Sequence, residues 1–363
     1  MDIWKKLKNN EPGHTFHHHA GSSRLDRIYA SQMFADNFTS ICLQPVLISD
    51  HQSIQSSFKC NLDLSQATKS SASLWKLNTL ILSEEVFQNQ ITQFILQSSR
   101  HPLRERNVAN WWESVLKPGI KRISIAYCRQ RARMIRETRS FYQTCIQDIS
   151  QTDPFDWVAF QELRKYSKSW EESTLRGFGI RSRCFDGPET EEANIFHVNR
   201  AKDNFRKCSF EKIIAPDGRV LTFKEDVTRE MISHFTSIFK NQPSSDILAG
   251  AEFLEGVRDC CKPAPNLTAP ISSLEIKSAL LATKKNKSPG IDGIPYEFYL
   301  TFWDVIAPHF LDMFNHILER DSLTPSQGQA AIRLIPKSSD SCRILEFRPI
   351  SLLNCDYKIM DLS

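Results

Sequence analysis

The sequence predicts a helix-rich chain of mixed α/β and α+β class, on three observations. Glycine accounts for only 12 of 363 residues, about half of its usual share of roughly 7%, so few positions suit tight turns. Apolar residues recur at helical spacing through the middle of the chain, and short apolar runs typical of strands stand near both ends. With 40% hydrophobic and 24% charged residues, the composition excludes collagen, coiled coil and wholesale disorder.

The N-terminal 62 residues are predicted to be β-rich, with strands at residues 24–29 and 45–48. Both runs are short, apolar and bounded by Ser, Gly or Asp. The polar, serine-rich segment 63–72 is predicted to be a linker. At roughly 150 residues per domain, the length predicts two or three domains.

From residue 74 to about residue 172 the pattern is helical, and the Pro118-Gly119 pair is predicted to break or kink it. Residues 210–223 are predicted to form a β-hairpin around Pro216-Asp217-Gly218. An amphipathic helix is predicted at 224–240, and it is expected to bury Val227, Met231, Phe235 and Phe239.

The C-terminal hundred residues are predicted to continue with helices and one strand. A short helix is expected at 272–283, and two helices, split near Pro308, are expected within 296–320. Their apolar residues, among them Phe298, Phe302 and Trp303, are expected to be core. Residues 330–336 form an apolar strand candidate.

Secretion and membrane insertion are not expected. The N-terminus lacks the apolar run of a signal peptide, and nowhere do about 18 apolar residues run together as a membrane span requires. The ten cysteines show no C-x-x-C spacing that would suit zinc, and they are predicted to be free thiols in a reducing compartment. The sequence therefore predicts an intracellular protein, nuclear or cytoplasmic, and leaves its oligomeric state open.

An Asp-His pair forms the first candidate site. Asp50 and His51 follow an apolar run, and Asp26 stands on a neighbouring predicted strand. Carboxylates can hold a histidine in one tautomer and aim it at a phosphate oxygen, as phosphodiester hydrolysis requires. The alternative is a loop-capping Asp beside an exposed His.

The His17-His18-His19 run could suggest a metal site, but a polar loop between strands is favoured because no other ligand is tied to it by spacing.

A basic stretch at 121–139 forms the second candidate site. The whole chain carries only +4, so a nucleic-acid surface would need local clustering, and this stretch holds seven basic residues and one acidic residue. On one helix Arg129, Arg133 and Arg136 would share a face, which suits a track of phosphates. A merely solvated helix face is the alternative.

Cations also accompany a glycine-containing loop near the C-terminal end. Lys284, Lys285 and Lys287 precede Pro289-Gly290 and Asp292-Gly293, and this flexible, positive edge could approach a phosphate backbone closely. The ordered set KSPGIDGIP, FW, LIPK, FRPISLLN and YKI, between residues 287 and 359, closely resembles the opening of the reverse transcriptase domain of LINE-type (non-LTR) retrotransposons.

The N-terminal residues resemble a second part of such elements. The order D-x-W-K from Asp2, then Thr15-Phe16, then SSRLDRIYAS (22–31), then SDH (49–51) is similar to the last quarter of the endonuclease/exonuclease/phosphatase fold of retrotransposon endonucleases. The resemblance implies that His51 abuts the scissile phosphate, that Asp50 and Asp26 orient it, and that Ser49 supplies a phosphate or supporting contact.

For the C-terminal part, the resemblance implies that Lys337 and Arg348 lie in the polymerase fingers and steady the incoming triphosphate and template. A Lys as point charge and an Arg as planar fork suit phosphate oxygens. For Arg348 a buried structural ion pair is the alternative.

The implied architecture has four parts: 1–62, the end of a four-layer β-sandwich endonuclease; 63–172, a basic α-helical connector; 173–262, a hairpin-plus-helix connector; and 263–363, the start of a reverse transcriptase with incomplete fingers and palm. The family uses Mg2+, but its metal-binding residues and polymerase acids are expected to lie outside this chain. No metal site and no tight Mg2+ binding are therefore expected. Neither cleavage of nucleic acid nor reverse transcription is expected from this chain alone. RNA and DNA backbones are the expected partners, and a non-catalytic, sequence-tolerant nucleic-acid-binding protein is the rival hypothesis.

Overall fold

The computed structural model describes residues 1–9, 11–59, 74–151, 156–182, 212–240, 270–338 and 341–362. The chain divides into two compact units. The first unit comprises Met1–Ser73 and Tyr127–Arg206, and the second unit comprises Leu74–Ala126 and Lys207–Ser363. The described ranges are rich in helix and hold small separate antiparallel sheets, so the helix-rich, mixed fold class is confirmed at that level.

The helices, in chain order, are α1 (Ile3–Lys8), α2 (Gln32–Ala35), α3 (Glu85–Ser98), α4 (Pro102–Arg106), α5 (Val108–Trp111), α6 (Lys117–Gln151), α7 (Trp157–Ser182), α8 (Lys224–Phe239), α9 (Ser273–Ala282), α10 (Tyr296–Thr301), α11 (Trp303–Arg320) and α12 (Cys355–Leu362). The strands are β1 (Phe16–His18), β2 (Gly21–Ser23), β3 (Phe38–Pro45), β4 (Gln52–Phe58), β5 (Ile213–Ile214), β6 (Val220–Leu221), β7 (Ala330–Pro336) and β8 (Phe347–Leu353). Each odd-numbered strand pairs antiparallel with the strand that follows it. Each helix in the described ranges is too short or too polar to cross a lipid bilayer.

The strands of the first unit lie elsewhere than predicted. Residues 24–28 form no strand, and Tyr29 forms only an isolated bridge with Asp2, next to a hydrogen bond of 3.0 Å from the Ile3 N–H to the Ile28 carbonyl oxygen. β3 ends at Pro45, and residues 47–50 form a turn rather than a strand. Pairing between strands explains the difference. β3 pairs with β4 at seven positions, whereas an apolar run without a partner strand forms no sheet.

Helix α1 and the hairpin β3–β4 build a small core in the first unit. Ile3 and Trp4 are buried with Ile41 of β3 and Ala35 of α2. The Asp2 side chain caps α1 by accepting from the Lys5 backbone N–H, and it forms an ion pair at 2.8 Å with Arg24. This pair ties the start of the chain to the stretch that follows β2.

Two long helices complete the first unit. Ile146 of α6 and Phe160 of α7 are buried together with Leu47, from the turn after β3. The Arg139 guanidinium donates two hydrogen bonds to the Glu171 carboxylate, at 2.7 and 3.1 Å. A bidentate, partly buried pair of this kind fixes the two helices more firmly than an exposed pair does.

The second unit has an aromatic core. Phe87 and Ile91 of α3 are fully buried, as are the side chains of two adjacent tryptophans and several residues of α10 and α11, namely Trp111, Trp112, Phe298, Tyr299, Phe310 and Phe314. The Trp112 and Phe310 rings meet edge to face, with centroids 4.8 Å apart. Burial of each such side chain contributes about 1.5–3 kcal/mol. Phe298 and Phe302 are therefore core as predicted, and Trp303 is half-buried.

Two predicted helix interruptions are wrong in position. Helix α6 runs through Pro118 and Gly119, and the irregularity is a π-helical turn at Trp112–Leu116. Pro118 lacks an N–H, so the wider turn lies just before it. The predicted split near Pro308 occurs instead at Phe302, between α10 and α11. Pro308 stays inside α11 because buried neighbours such as Phe310 outweigh the lost hydrogen bond.

Several local predictions are confirmed. Hairpin β5–β6 forms around Gly218, whose φ of 88° a side chain would disfavour. Helix α8 follows it, helix α9 begins with a capping box between Ser272 and Glu275, and β7 forms at the predicted residues. Phe239 of α8 is 60% exposed, so its predicted burial is wrong.

The predicted linker 63–72 and the boundaries after residues 62 and 262 lie outside the described residues. The boundary after residue 172 falls within α7, which continues across it.

Candidate functional sites

The structure brings Asp26 and His51 together. His51 stands immediately before β4 and forms a bridge with Phe16 of β1, and its Nδ1 lies 2.7 Å from the Asp26 Oδ2. The hydrogen bond from His51 is the main reason that the pKa of Asp26 lies below its usual value. Because the carboxylate accepts from Nδ1–H, the other ring nitrogen, Nε2, is left as the reactive edge. Both side chains are partly exposed, so a ligand can reach them.

Thr15 fixes the backbone beside this pair. Its hydroxyl oxygen accepts from the backbone N–H groups of Leu25 and Asp26, at 3.0 and 3.1 Å. The Ser49 hydroxyl oxygen likewise accepts from the His51 backbone N–H, at 3.2 Å. Ser49 therefore shapes the turn that presents His51. The Asp50 side chain is exposed and bonds to no described residue, so Asp26 is the carboxylate that contacts His51.

His17 is a buried strand residue, and the predicted polar loop at 17–19 is wrong at this position. Its ring is 5% exposed and contacts Ser22 Oγ at 2.7 Å and Gln52 Nε2 at 3.0 Å. Burial is the main cause that lowers the pKa of His17, so the neutral form prevails. Within the described ranges, no group of three or more His, Cys, Asp or Glu side chains could hold a metal ion.

Three arginines of α6 form an exposed stripe, here called the arginine face: Arg129, Arg133 and Arg136. Arg133 donates to Glu137 one turn on, at 2.7 Å, but both side chains are largely exposed, and such pairs contribute little. Arg129 and Arg136 form no ion pair with a described carboxylate. The arginine face is therefore accessible to an anion.

The glycines of the 287–295 loop serve packing rather than close approach to a ligand. A Cβ on Gly290 would lie 2.3 Å from the Asn354 Oδ1, and a Cβ on Gly293 would lie 2.2 Å from the Trp75 carbonyl oxygen. The interpretation that they allow a phosphate backbone to approach is thus corrected. Lys284, Lys285 and Lys287 are exposed beside the loop.

Lys337 and Arg348 lie at the hairpin β7–β8. Arg348 pairs in register with Ile335, and its side chain is exposed, so the alternative of a buried ion pair is wrong. The Lys337 ammonium donates to the Leu345 carbonyl oxygen at 2.9 Å. Among the described residues, no contact links Lys337 or Arg348 to Lys284, Lys285 or Lys287.

A buried ionic cluster in the second unit escaped the sequence analysis. Lys117, at the start of α6, is 5% exposed, and its Nζ lies 2.8 Å from Asp356, 3.1 Å from Asp292 and 3.8 Å from Glu113. It also donates to the Ser326 hydroxyl at 2.8 Å. Three carboxylates thus surround one ammonium group, and two of them, Asp292 and Asp356, lie between residues 287 and 359, in the segment that carries the C-terminal motif set.

Neighbouring donors compensate part of this negative charge. Asp356 accepts from the Trp112 indole N–H at 3.0 Å and from the Gln327 amide at 3.3 Å. Burial, and next the charge of Asp356, raise the pKa of Asp292 to about 6, although Lys117 opposes the shift. Burial alone would lower the pKa of Lys117, but the carboxylates outweigh it and raise that pKa above its ordinary value. No spacing in the sequence could have indicated this cluster, because its members come from distant segments.

No protein-family model matches the chain. The chain is 25% identical, over 370 residues, to the transposon TX1 uncharacterized 149 kDa protein of Xenopus laevis. The alignment covers 99% of this chain and 28% of that protein. The similarity supports a transposon origin for this chain, which spans about a quarter of its relative.

Proposed function

We propose that this chain is a segment of a non-LTR retrotransposon polyprotein, joining the end of an endonuclease domain to the start of a reverse transcriptase domain. The observation that carries the endonuclease part is the hydrogen bond between His51 and Asp26, whose ring and carboxylate lie 2.7 Å apart. The similarity to a transposon protein along 99% of the chain supports the origin.

In the proposed endonuclease part, His51 contacts the phosphate that is cleaved. Asp26 holds Nδ1–H, so Nε2 faces the substrate and can donate or accept a proton at a phosphate oxygen, and the imidazolium that forms is stabilised by the carboxylate. Thr15 and Ser49 hold the backbone of Asp26 and of His51 in place, because their hydroxyl oxygens accept hydrogen bonds from the backbone N–H groups of these two residues.

The family's Mg2+ does not fit the described residues. Asp26 is engaged by His51, and Asp50 stands without the further carboxylates that a magnesium site needs. We therefore assign no magnesium-dependent step to this chain, and we propose that it does not cut or copy nucleic acid unaided. In the reverse transcriptase part, the exposed cations Lys337 and Arg348 are proposed to contact phosphates of the template and incoming triphosphate.

The His51→Ala variant tests the endonuclease part. Supercoiled plasmid is incubated with Mg2+ and this chain, with and without a polypeptide that supplies the upstream three quarters of such an endonuclease domain. Nicking that depends on this chain is expected to fall by about a hundredfold or more in the variant, because one acid–base group is lost. The His19→Ala variant, at an exposed histidine, should leave nicking unchanged. Nicking that persists in His51→Ala would refute the assigned role.

The arginine face favours a second candidate function, a non-catalytic and sequence-tolerant nucleic-acid-binding protein. Two of its three guanidinium groups form no ion pair with described residues, and all three are exposed on one side of α6. Binding through phosphate contacts alone releases counterions and weakens steeply with salt. This function needs no cleavage or primer extension.

Replacing all three residues of the arginine face by Gln tests this candidate. The slope of log affinity for duplex DNA against log salt is expected to shrink by about 2–3, since each phosphate contact contributes about 0.9. Fluorescence anisotropy of labelled DNA over a salt series measures it. A control variant loses the same charge at exposed lysines elsewhere, namely Lys5, Lys59 and Lys277. Equal slopes in the two variants would exclude the arginine face as the phosphate track.

A further inference from the structure

A cavity of about 660 Å3 lies in the first unit between the turn at residues 47–50 and helix α7. Small-molecule sites commonly measure about 300–1,000 Å3, so the cavity is large enough for one nucleotide. Its lining includes Ser49 and Asp50, which directly precede His51. The cavity therefore reaches the two residues that precede the proposed endonuclease histidine in the chain.

The walls of the cavity have an apolar side and a cationic side. Trp157 and Phe160 stack with ring centroids 5.9 Å apart and an interplanar angle of 23°, next to the buried Leu47. On the same helix face, Lys165 and Lys168 are exposed and line the cavity. Neither lysine forms an ion pair with a carboxylate of the described residues.

We infer that this cavity binds one nucleotide of a single nucleic-acid strand, with its base against Trp157 and its flanking phosphates on Lys165 and Lys168. This inference rests on the proposed function and adds a strand-binding site on α7, outside the segments that resemble an endonuclease. The two lysines are separated by about 4.5 Å of helix rise, and their long stems let the ammonium groups reach successive phosphates. Aromatic faces bind unpaired bases of any sequence.

The acidic groups at the cavity do not cancel this preference. Asp50 and Glu162 line it together with three cations, Arg164, Lys165 and Lys168. The Arg164 guanidinium lies 5.6 Å from the centre of the Phe160 ring, in a cation–π contact. Lys165 and Lys168 balance the two carboxylates, which can accept hydrogen bonds from exocyclic amino groups of a base.

The test measures binding of fluorescein-labelled oligothymidylate to the full chain by anisotropy over a salt series. The double variant Lys165→Gln, Lys168→Gln is expected to bind about tenfold more weakly and to lose about 1.4 from the salt slope, at about 0.7 for each single-strand phosphate. The control variant Lys5→Gln, Lys59→Gln removes the same charge at exposed sites of the same unit. An identical loss in both variants would overturn the inference.

A second arm tests the base contact. Trp157→Leu keeps an apolar side chain but removes the ring, and affinity for oligothymidylate is expected to fall about tenfold. Affinity for an abasic strand of equal length should not change. Loss of both affinities in equal measure, or binding of free thymidine monophosphate as tight as that of the strand, would contradict a strand site. If the wild-type chain bound no strand, the proposed function would be refuted as well. If the wild type bound tightly and the variants bound with the same affinity, only the strand-binding role of the cavity would be refuted.

Discussion

The Lys117→Met variant is expected to destabilise the second unit by about 3–5 kcal/mol, the usual cost of removing one partner from a buried ion pair. Lys117 is buried among Asp356, Asp292 and Glu113. Methionine fills a similar volume but brings neither charge nor donor, so the carboxylates would face one another in an apolar surrounding. They must then take up protons or draw in water, and either response opens the packing around Trp112.

Hydrogen exchange measured by mass spectrometry would report this change locally. Peptides that contain Asp292 and α12 are expected to exchange about a hundredfold faster or more in Lys117→Met, since each 1.4 kcal/mol corresponds to a factor of ten. Arg122→Met provides the control, because Arg122 is exposed five residues further along the same helix. Exchange in Lys117→Met that matches this control would show that the cluster does not hold the unit together.

Lys117 also illustrates what sequence reasoning could not reach. Helix α9, hairpin β5–β6 and strand β7 follow from signals within a few residues, namely a capping box, a Pro-Asp-Gly turn and an apolar run. Buried contacts between residues about 240 positions apart, such as Trp112 with Asp356, leave no spacing that a single sequence can show. A lysine at a helix start is read as solvated by default.

For the candidate site, too, part of the arrangement could be predicted from the sequence and part could not. Asp26 and His51 were predicted to act together because two short motifs stand in a known order, and the structure joins them. The position of Asp50 was not predictable from the sequence. The pairing of β3 with β4 ends at Pro45 opposite Gln52, and this end point leaves residues 47–50 to form the turn. The cavity beside α7 depends on contacts across more than a hundred residues, between Leu47 and Phe160.

The Asp292→Asn variant is expected to stabilise the second unit at neutral pH by up to about 3 kcal/mol, at about 1.4 kcal/mol for each unit of pKa shift. One ammonium group faces three carboxylates, so the cluster carries excess negative charge once all are ionised. Asparagine removes one charge and keeps one acceptor oxygen, which can replace either Oδ1, the acceptor from the Ile294 backbone N–H at 3.0 Å, or Oδ2, at 3.1 Å from the Lys117 ammonium. Lys117 keeps its closer partner, Asp356, at 2.8 Å.

The stabilisation should depend on pH in one direction. The pKa of Asp292 is about 6 in the folded chain against 3.8 for its ordinary value, so between these limits the unfolded chain releases a proton that the folded chain keeps. The free energy of unfolding of the wild type therefore falls, relative to the variant, as pH rises through this window, and levels off above it. Hydrogen exchange corrected for its intrinsic pH dependence measures the difference, with Asp321→Asn as control because Asn also suits the left-handed conformation of Asp321. A difference that stays constant across the window, or an Asp292→Asn variant less stable than wild type at neutral pH, would show that Lys117 fully compensates Asp292.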